Sequence, residues 1–440
     1  MLPPMPLATV ASCLERWSRD PRAVRWTVQY RFGFGAAARQ RTFDWYAPAS
    51  ERGAIAVLTR MHNGILLLQP LSVVLGSPLS ESRLVPWLDT IRAVHALPIS
   101  LTEDEHSEPP AGVPLDLPAV QHARPKAQRG LAVGLDIGGT GMKVCALRGN
   151  ELVAQAQGPT WPGEQAGLPS LVARARGLVR EVCGAERATS LGVGLASPMG
   201  VHGQVVSLST VMRQKLGSPA LLEAMPARVA QGLIAGPVAS FNDLANLGRM
   251  LSGQGHRRLL RLQIGTSFGG CWIDADGTVS ASELGRLVVD LSPEARPHTY
   301  LPLKGAMKSY LSNHGVARSL ALWGGDERSP AQVGFAWRDL NRGGDPLGAA
   351  LVSWTGSLLV GAIREALAVL PGLEEVSLGG GMLQGVTGRL VARDVVDRLK
   401  GLRRAPRFAL SANPGFDGAI AAAQAPLIDA PLRGVRRLVG

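Results

Sequence analysis

Short apolar runs alternate with longer stretches of helical spacing along residues 131–427, and these two patterns predict strands and helices in turn. The predicted strands are Leu131–Ile137, Met142–Leu147, Glu151–Gln157, Ser190–Leu195, Val238–Phe241, Leu259–Ile264, Cys271–Asp274 and Glu375–Leu378. The predicted helices are Leu168–Val182, Asp243–Leu251, Lys304–Leu322, Pro346–Leu370 and Gly388–Leu402. Because strands that alternate with helices form layered sheets, this region is predicted to be α/β.

A Pro-rich polar segment at residues 102–130 separates this region from the N-terminal 101 residues. Prolines block helix continuation and strand pairing, so the segment is predicted to be an extended linker. Residues 1–101 are predicted to form an α+β domain of unknown role, and residues 428–440 a tail. The N-terminal elements are a first helix, β-like segments at Trp26–Phe32 and Ala54–Thr59, and a helix at Arg83–Ala96.

The composition of the 440 residues narrows the class of protein. With 46% hydrophobic and 18% charged residues, the chain is predicted to fold, and its length predicts more than one domain. Lys and Arg outnumber Asp and Glu by 46 to 34, but only six of the basic residues are lysine, and no basic run exceeds two residues. An Arg-rich coding bias explains this charge as well as a polyanionic partner does. Aromatic residues make up only 5%, so nucleic acid is not a predicted partner.

The cysteines and apolar runs indicate the compartment. The four cysteines are far apart and form no C-x-x-C pair: Cys13, Cys145, Cys183 and Cys271. This spacing argues against a disulfide scaffold and favours a reducing compartment. The apolar run at Trp354–Leu370 is broken by Arg364 and Glu365, and the N-terminus lacks the basic region of a signal peptide. The sequence therefore predicts a soluble cytoplasmic protein without a membrane partner.

Three glycine turns at strand ends are candidate phosphate contacts. They are Asp136-Ile137-Gly138-Gly139-Thr140, Gly265-Thr266-Ser267-Phe268-Gly269-Gly270 and Gly379-Gly380-Gly381. Glycine lets backbone N–H groups approach a phosphate, and a carboxylate such as that of Asp136 can hold Mg²⁺ through water. Each turn alone is also explained as ordinary structure. Three of them in one α/β region suit a triphosphate held between two lobes.

Asn242 and Asp243 stand where a predicted strand becomes a helix. An Asp at this point can take a proton from a substrate hydroxyl, and the Asn can hold a neighbouring hydroxyl. The alternative is helix capping, since both residue types favour helix starts. The sequence alone leaves both interpretations open.

Taken together, these motifs resemble the ROK family of sugar kinases and repressors, which belongs to the actin/hexokinase/Hsp70 superfamily. The matching segments are DIGGT at 136–140, SFNDLAN at 240–246, IGTSFGG at 264–270, SELGR at 282–286, GDPLGAALVSWTGSLLVGAI at 344–363 and LGGGM at 378–382. The resemblance implies a two-lobed actin-like ATPase (ribonuclease H-like) fold over residues 131–427. The additional N-terminal α+β domain lies outside it.

The resemblance also implies roles for individual residues, with ATP and Mg²⁺ as cofactors. Asp243 would be the catalytic base, Asn242 and Glu283 would bind the substrate, and Asp136 would hold Mg²⁺ through water. The implied nucleotide contacts are Asp136, Gly138, Gly139, Thr140, Gly265, Thr266, Gly269, Gly270, Gly379, Gly380 and Gly381.

Two departures from the family pattern concern the substrate. Arg286 stands where the family has a histidine that binds sugar and zinc, and Lys308 where it has a sugar-binding glutamate. Residues 303–312 contain no cysteine, so no zinc site is predicted. The two basic residues predict either a pocket for an anionic or unusual substrate or a decayed sugar site with solvated charges.

Three functions are compatible with the sequence. The first is an ATP-dependent kinase acting on a sugar-like hydroxyl compound. The second is a sugar-sensing ROK-type transcriptional regulator, for which Pro78–Ala96 is the nearest candidate helical hairpin, although Pro86 is expected to interrupt its first helix. The third is a nucleotide-binding pseudokinase or scaffold. By analogy with the family, the apolar helix Leu351–Leu370 would support a homodimer.

Overall fold

The structure is a computed structural model of the chain. It describes residues 9–32, 39–70, 72–95, 98–102, 130–139, 141–161, 167–197, 199, 204–205, 208–299, 301–324, 329–330, 332–370, 372–402 and 404–427. The tail, Thr140 and all of the linker except its two end residues lie outside these ranges. The end residue Thr102 closes a strand.

The N-terminal region forms its own four-stranded sheet. Its elements are α1 (Val10–Trp17), β1 (Val24–Phe32), β2 (Arg39–Ala47), α2 (Glu51–Leu68), β3 (Ser72–Gly76), α3 (Glu81–His95) and β4 (Ile99–Thr102). The strand order is β2-β1-β3-β4, and only the β3–β4 pair is parallel. The mixture of strands and helices agrees with the predicted α+β character.

Two predictions in this region are wrong. Ala54–Thr59 is part of helix α2, not a strand. The Ser50 side chain caps this helix by accepting from the Gly53 N–H at 3.3 Å, and most of α2 is buried, so its continuous apolar run lacks helical spacing. Pro86 does not interrupt α3, which continues to His95. Apolar side chains on both sides of the proline, including Leu84 and Leu88, are fully buried and hold the helix in place.

The first lobe consists of β5 (Leu131–Ile137), β6 (Gly141–Arg148), β7 (Glu151–Pro159), α4 (Leu168–Cys183), β8 (Ser190–Leu195), α5 (Thr210–Leu216), α6 (Pro219–Ala230) and β9 (Val238–Asn242). Its sheet order is β7-β6-β5-β8-β9. The three strands β5, β6 and β7 are antiparallel neighbours, whereas β5, β8 and β9 are parallel.

The second lobe repeats this topology. It consists of α7 (Asp243–Gly253), β10 (Leu259–Ile264), β11 (Phe268–Ile273), β12 (Val279–Ser282), α8 (Asn313–Gly324), α9 (Val333–Arg342), α10 (Pro346–Val369), β13 (Glu375–Gly379), α11 (Val386–Leu399), β14 (Arg407–Leu410) and α12 (Asp417–Gln424). The order β12-β11-β10-β13-β14, with β10, β13 and β14 parallel, matches that of the first lobe. The predicted two-lobed α/β fold is confirmed.

The predicted helix Lys304–Leu322 is only partly correct, because α8 begins at Asn313. Gly305 has a φ of +74°, and its N–H donates to the Arg296 carbonyl at 2.9 Å. The Met307 N–H likewise donates to Leu287 at 2.8 Å. These bonds tie residues 304–312 to the preceding loop rather than to a helical turn, apart from one 3₁₀ turn at Met307–Ser309.

Helix α10 is long and apolar enough in composition to cross a membrane, but two-thirds of its apolar window is buried inside the protein. It packs against α2, α9 and α11. Its apolar residues, such as Leu358 and Leu359, share one core with Trp26 and Met61 of the N-terminal region. Burial of this kind is typical of the core helix of a soluble protein. Most of the helix that the sequence predicts for dimerisation is therefore already buried within the protein itself.

Candidate active site

Asp136 lies near the end of β5, two residues before Gly138 of the first glycine turn. The β5–β6 hairpin pairs it with Lys143. Its carboxylate lies against the first turn of α12, where a Cβ added to Gly418 would overlap it. Burial raises the pKa of Asp136, while Lys143 lowers it and Asp417 raises it. Strand β5 and helix α12, which packs against β5, β6 and β8, therefore enclose this acid.

Asp243 begins α7, directly after the last strand of the first lobe. A Cβ added to Gly194 in β8 would lie 3.6 Å from Asp136 Oδ1 and 3.6 Å from the Cα of Asp243. The absence of a side chain at Gly194 thus allows the two acidic residues to approach each other. Helix α7 packs against α12 and against β11 and β12 of the second lobe.

The electrostatic environment of Asp243 identifies it as an unusual carboxyl group. Burial, with repulsion from Asp136 and then Glu283, raises the pKa of Asp243 to about 8. Three acids that the sequence picks out from three separate motifs are therefore neighbours. Perturbed carboxyl groups of this kind are common at functional sites.

Asn242 acts as the cap of α7. Its Oδ1 accepts from the backbone N–H groups of Leu244 at 3.0 Å and Ala245 at 3.2 Å, and its Nδ2 donates to the Ser197 carbonyl at 3.2 Å. The capping interpretation of this residue is confirmed. Its role towards a substrate hydroxyl stays a prediction, for which the amide retains a second N–H.

The first two glycine turns occupy different environments. The Gly138 N–H donates to Gly141 at 3.0 Å, and Gly139 is half-buried beside it. Gly265 and Thr266 lie in the turn between β10 and β11, which Asn313 supports by donating to the Gly265 carbonyl at 3.0 Å. The remaining residues of these two motifs are Thr140, outside the described residues, and Gly269 and Gly270, which lie inside β11.

Gly269 and Gly270 have packing reasons for being glycine. A Cβ on Gly269 would lie 2.6 Å from Leu244 Cδ1, and one on Gly270 would lie 2.6 Å from Leu284 Cδ1. These two contacts pack β11 against α7 and against the segment that carries Glu283. Nucleotide contact through either residue stays a prediction.

The third turn approaches the first lobe. Gly380 has a φ of +109°, and a Cβ there would overlap the Ile264 backbone, so this position favours glycine. A Cβ on Gly381 would lie 3.4 Å from Lys143 Nζ. The Lys143 side chain therefore reaches from the hairpin of the first lobe to the third turn in the second.

Sequence reasoning missed several residues of this site. Lys143 could have been found, because the hairpin register alone places it opposite Asp136. No sequence signal marked the buried ion pair of Arg261 and Asp417, which lies where a Gly379 side chain would stand. Ser411 also donates to Asp417, at 2.6 Å.

The two basic residues that depart from the family pattern come together. Arg286 is only 9% exposed, and Lys308 is half-buried. Burial, then Lys308 and then Arg286 lower the pKa of His298 to about 4, so both cations are near its ring. Arg286 is therefore not a solvated charge, and the anionic-pocket and decayed-site interpretations both stay predictions.

Helix α2 of the N-terminal region holds the backbone of the same segment. His62 Nε2 is 3.0 Å from the Arg286 carbonyl, which can only accept, so Nε2 is the donor. Asn63 donates to the Val288 carbonyl at 2.8 Å and accepts from the Val288 N–H at 2.9 Å. We call these bonds the α2 clamp. The Ser282 hydroxyl adds a bond to the Leu66 carbonyl at 2.6 Å.

The donors present suit magnesium better than zinc. Within the described ranges, no group of three or more His, Cys, Asp or Glu residues is arranged to hold a metal ion. The absence of zinc stays a prediction. Mg²⁺ keeps most of its waters and needs only one or two carboxylates. Asp136 and Asp243 fit such a cation, because it would offset the repulsion by which Asp136, after burial, raises the pKa of Asp243.

We expect Asp243 to destabilise the ligand-free protein as the pH rises from about 4 to about 8. The pKa of Asp243 is raised from 3.8 to about 8 in the folded state, so the folded protein keeps a proton that the unfolded chain has released. The protonated Asp243 carboxyl contributes its full share to the stability of the fold below pH 3.8. This contribution is lost as the pH rises through 8. Melting temperatures of the native protein and Asp243→Asn should therefore diverge with rising pH, with the variant more stable at pH 8.

The comparison with Asp243→Asn isolates this effect from other groups. The lowered pKa values of His62 and His298, about 4 against 6.5, destabilise the fold as the pH falls below 6.5. Both proteins contain these histidines, so their contribution cancels in the difference. Parallel melting curves for the two proteins from pH 4 to pH 8 would show that Asp243 has an ordinary pKa.

Comparison with known proteins shows which solved structures have a similar fold. No protein-family model and no curated protein matches the sequence. Among solved structures, the ROK family glucokinase from Streptomyces griseus, in complex with glucose and AMPPNP, matches with a TM-score of 0.52 at 20% identity over 67% of this chain and 99% of its own. The ROK hexokinase from Thermus thermophilus matches at 21% identity with a TM-score of 0.47, covering 67% and 97% of the two chains.

A ROK family transcriptional regulator, a homologue of the Escherichia coli MLC protein, matches with a TM-score of 0.47 at 16% identity, over 68% of this chain and 79% of its own. At these identities only the fold follows, and it follows from the Streptomyces glucokinase. The chain has the two-lobed fold of that ROK enzyme, as its sequence predicts.

Proposed function

We propose that the chain is a ROK-type kinase that transfers a phosphoryl group from ATP to a hydroxyl of a sugar or sugar-like substrate. The observation that carries the proposal is the environment of Asp243, where burial and repulsion from Asp136 and Glu283 raise its pKa to about 8. A general base works best when its pKa lies near the working pH. An ordinary surface carboxylate has no such property.

In this mechanism Asp243 accepts the proton of the substrate hydroxyl. The hydroxyl oxygen bonds to the γ-phosphorus of ATP as the bond to the leaving ADP breaks. Lys143 places a positive charge beside the third turn, where it would offset charge on the phosphates. Mg²⁺ held by Asp136 through water would neutralise further phosphate charge and favour the ionised form of Asp243.

The fold supports ATP and a sugar as the two substrates. The Streptomyces glucokinase, which shares the fold, is in complex with glucose and with AMPPNP, an ATP analogue. Its structure covers 67% of this chain, so it carries no statement about the remainder. The proposed function of this chain is therefore supported by its own acidic residues and glycine turns rather than by the shared fold.

The transcriptional regulator is not favoured by the N-terminal region. Pro78–Ala96, the candidate helical hairpin, contains the single helix α3 in its described part. The described N-terminal residues form a sheet with three helices, and α2 is used for packing on the second lobe. A helix-turn-helix needs two helices joined by a tight turn, and the described part of Pro78–Ala96 has one.

The test is ADP release from Mg²⁺–ATP across a panel of neutral and acidic sugars, with product identified by mass spectrometry. A compound that gains one phosphoryl group with stoichiometric ADP release supports the proposal. ATP binding by calorimetry without transfer to any compound would instead favour a pseudokinase. Lys143→Met should weaken ATP binding, because it removes the cation beside the third turn.

A further inference from the structure

The segment that follows Glu283 carries a buried group of basic side chains. A Cβ on Gly285 would lie 3.2 Å from the Cβ of Lys308, so the Lys308 turn is packed directly beside Arg286. His298 lies close enough to both cations for each to lower its pKa, which is about 4. We call Arg286, Lys308 and His298 the basic cluster.

Arg286 is the least satisfied member of the cluster. It is 9% exposed, and its Nη1 is buried without a hydrogen-bond partner in the described part of the chain. Among the ion pairs between described residues, none involves Arg286. Burying a guanidinium without an anion is costly. The backbone of this residue is nevertheless fixed by the α2 clamp, which holds the cluster in place.

One nearby acid is already engaged elsewhere, and another faces Asp243. Asp290, a buried acid on the same loop, accepts from the Tyr310 hydroxyl at 2.6 Å and from the Ser292 N–H at 2.9 Å. Glu283 acts on Asp243. Glu283 therefore lies near Asp243, and the basic cluster begins three residues further along the chain at Arg286.

We propose that the acceptor substrate is itself an acid, a sugar-like molecule whose oxyanion group binds the basic cluster while one of its hydroxyls meets Asp243. This inference rests on the proposed kinase function and names its substrate class. A guanidinium forms paired hydrogen bonds with a carboxylate or a phosphate. Either oxyanion would supply the partner that Arg286 Nη1 lacks, whereas a neutral sugar would leave it unpaired.

The experiment compares matched compounds and matched variants. Initial rates with Mg²⁺–ATP are measured for glucose, gluconate, glucuronate and glucose 6-phosphate, and melting temperatures are measured with each compound alone. The variants are Arg286→Gln and Lys308→Met, with Lys304→Met as the control because it removes an exposed lysine from the same loop. Lys308→Met also covers the case in which Arg286→Gln fails to fold.

We expect kcat/KM for at least one acid to exceed that of glucose. Arg286→Gln and Lys308→Met should each lower it about 10- to 100-fold, mainly through KM. Lys304→Met should leave it unchanged. Preference for a carboxylate or for a phosphate in the panel identifies which oxyanion is bound.

The outcomes separate this inference from the kinase proposal. If an acid raises the melting temperature of the native protein but not of Lys308→Met, and no transfer occurs, the anion site stands and the kinase proposal fails. If glucose is phosphorylated fastest and both basic variants retain that activity, the kinase stands and the anion site is overturned. An acid panel that neither reacts nor shifts the melting temperature also overturns the anion site.

Discussion

Asp243→Asn should lower kcat about 100- to 10,000-fold, because it removes the group that accepts the hydroxyl proton. The amide has nearly the same size and cannot take up a proton, so the change tests chemistry rather than packing. ATP affinity should remain close to that of the native protein, since the glycine turns and Lys143 are untouched. Steady-state ADP release and calorimetry with ATP measure the two quantities.

The matched control is Asp339→Asn on α9, whose side chain is 72% exposed. It removes a carboxylate from an exposed position and should retain full activity. If Asp243→Asn and Asp339→Asn turn over ATP and substrate equally fast, Asp243 has no role as a base. The proposed mechanism would then have to be abandoned.

Glu365→Leu should destabilise the protein by about 3–5 kcal/mol, because it leaves a buried guanidinium without its partner. Arg60 of α2 donates to Glu365 of α10 through Nη2 at 2.7 Å and Nε at 3.3 Å, and Asn63 donates to the same carboxylate at 3.1 Å. The two side chains are 9% and 1% exposed. Urea unfolding followed by tryptophan fluorescence measures the change.

Two further variants show whether the loss comes from the unpaired charge. Glu186→Leu breaks an exposed pair with Arg148, at 42% and 58% exposure, and should cost no more than about 1 kcal/mol. The double variant Arg60→Met/Glu365→Leu should recover much of the loss, since apolar replacement of both partners is often neutral. A loss below about 1 kcal/mol for Glu365→Leu would mean that the Arg60–Glu365 pair does not help to hold the N-terminal region.

The sequence predicted those parts of the fold that depend on local patterns. The strands Leu131–Ile137, Ser190–Leu195 and Leu259–Ile264 have their predicted bounds, because each is a buried apolar run with polar or glycine residues at its ends. Helix α2 was mistaken in part for a strand, since burial on nearly all sides removes the helical spacing that identifies a helix.

The site shows the same division between local and distant signals. The motifs around Asp136, Asp243 and Glu283 are local, and the structure places these acids together. The α2 clamp joins Asn63 to Val288, 225 residues apart. No sequence pattern in either segment predicts that these two residues are in contact. Contacts of this kind depend on how the N-terminal region docks, which only the folded chain reveals.

The two acids that repel Asp243 belong to different lobes, Asp136 to the first and Glu283 to the second. A movement of one lobe against the other therefore changes the distance from Asp243 to at least one of them. Because that distance sets how tightly Asp243 holds its proton, bringing the lobes together or apart is linked to proton uptake or release. Ligand binding that moves the lobes in this way would therefore give a heat of binding that varies with the ionisation enthalpy of the buffer.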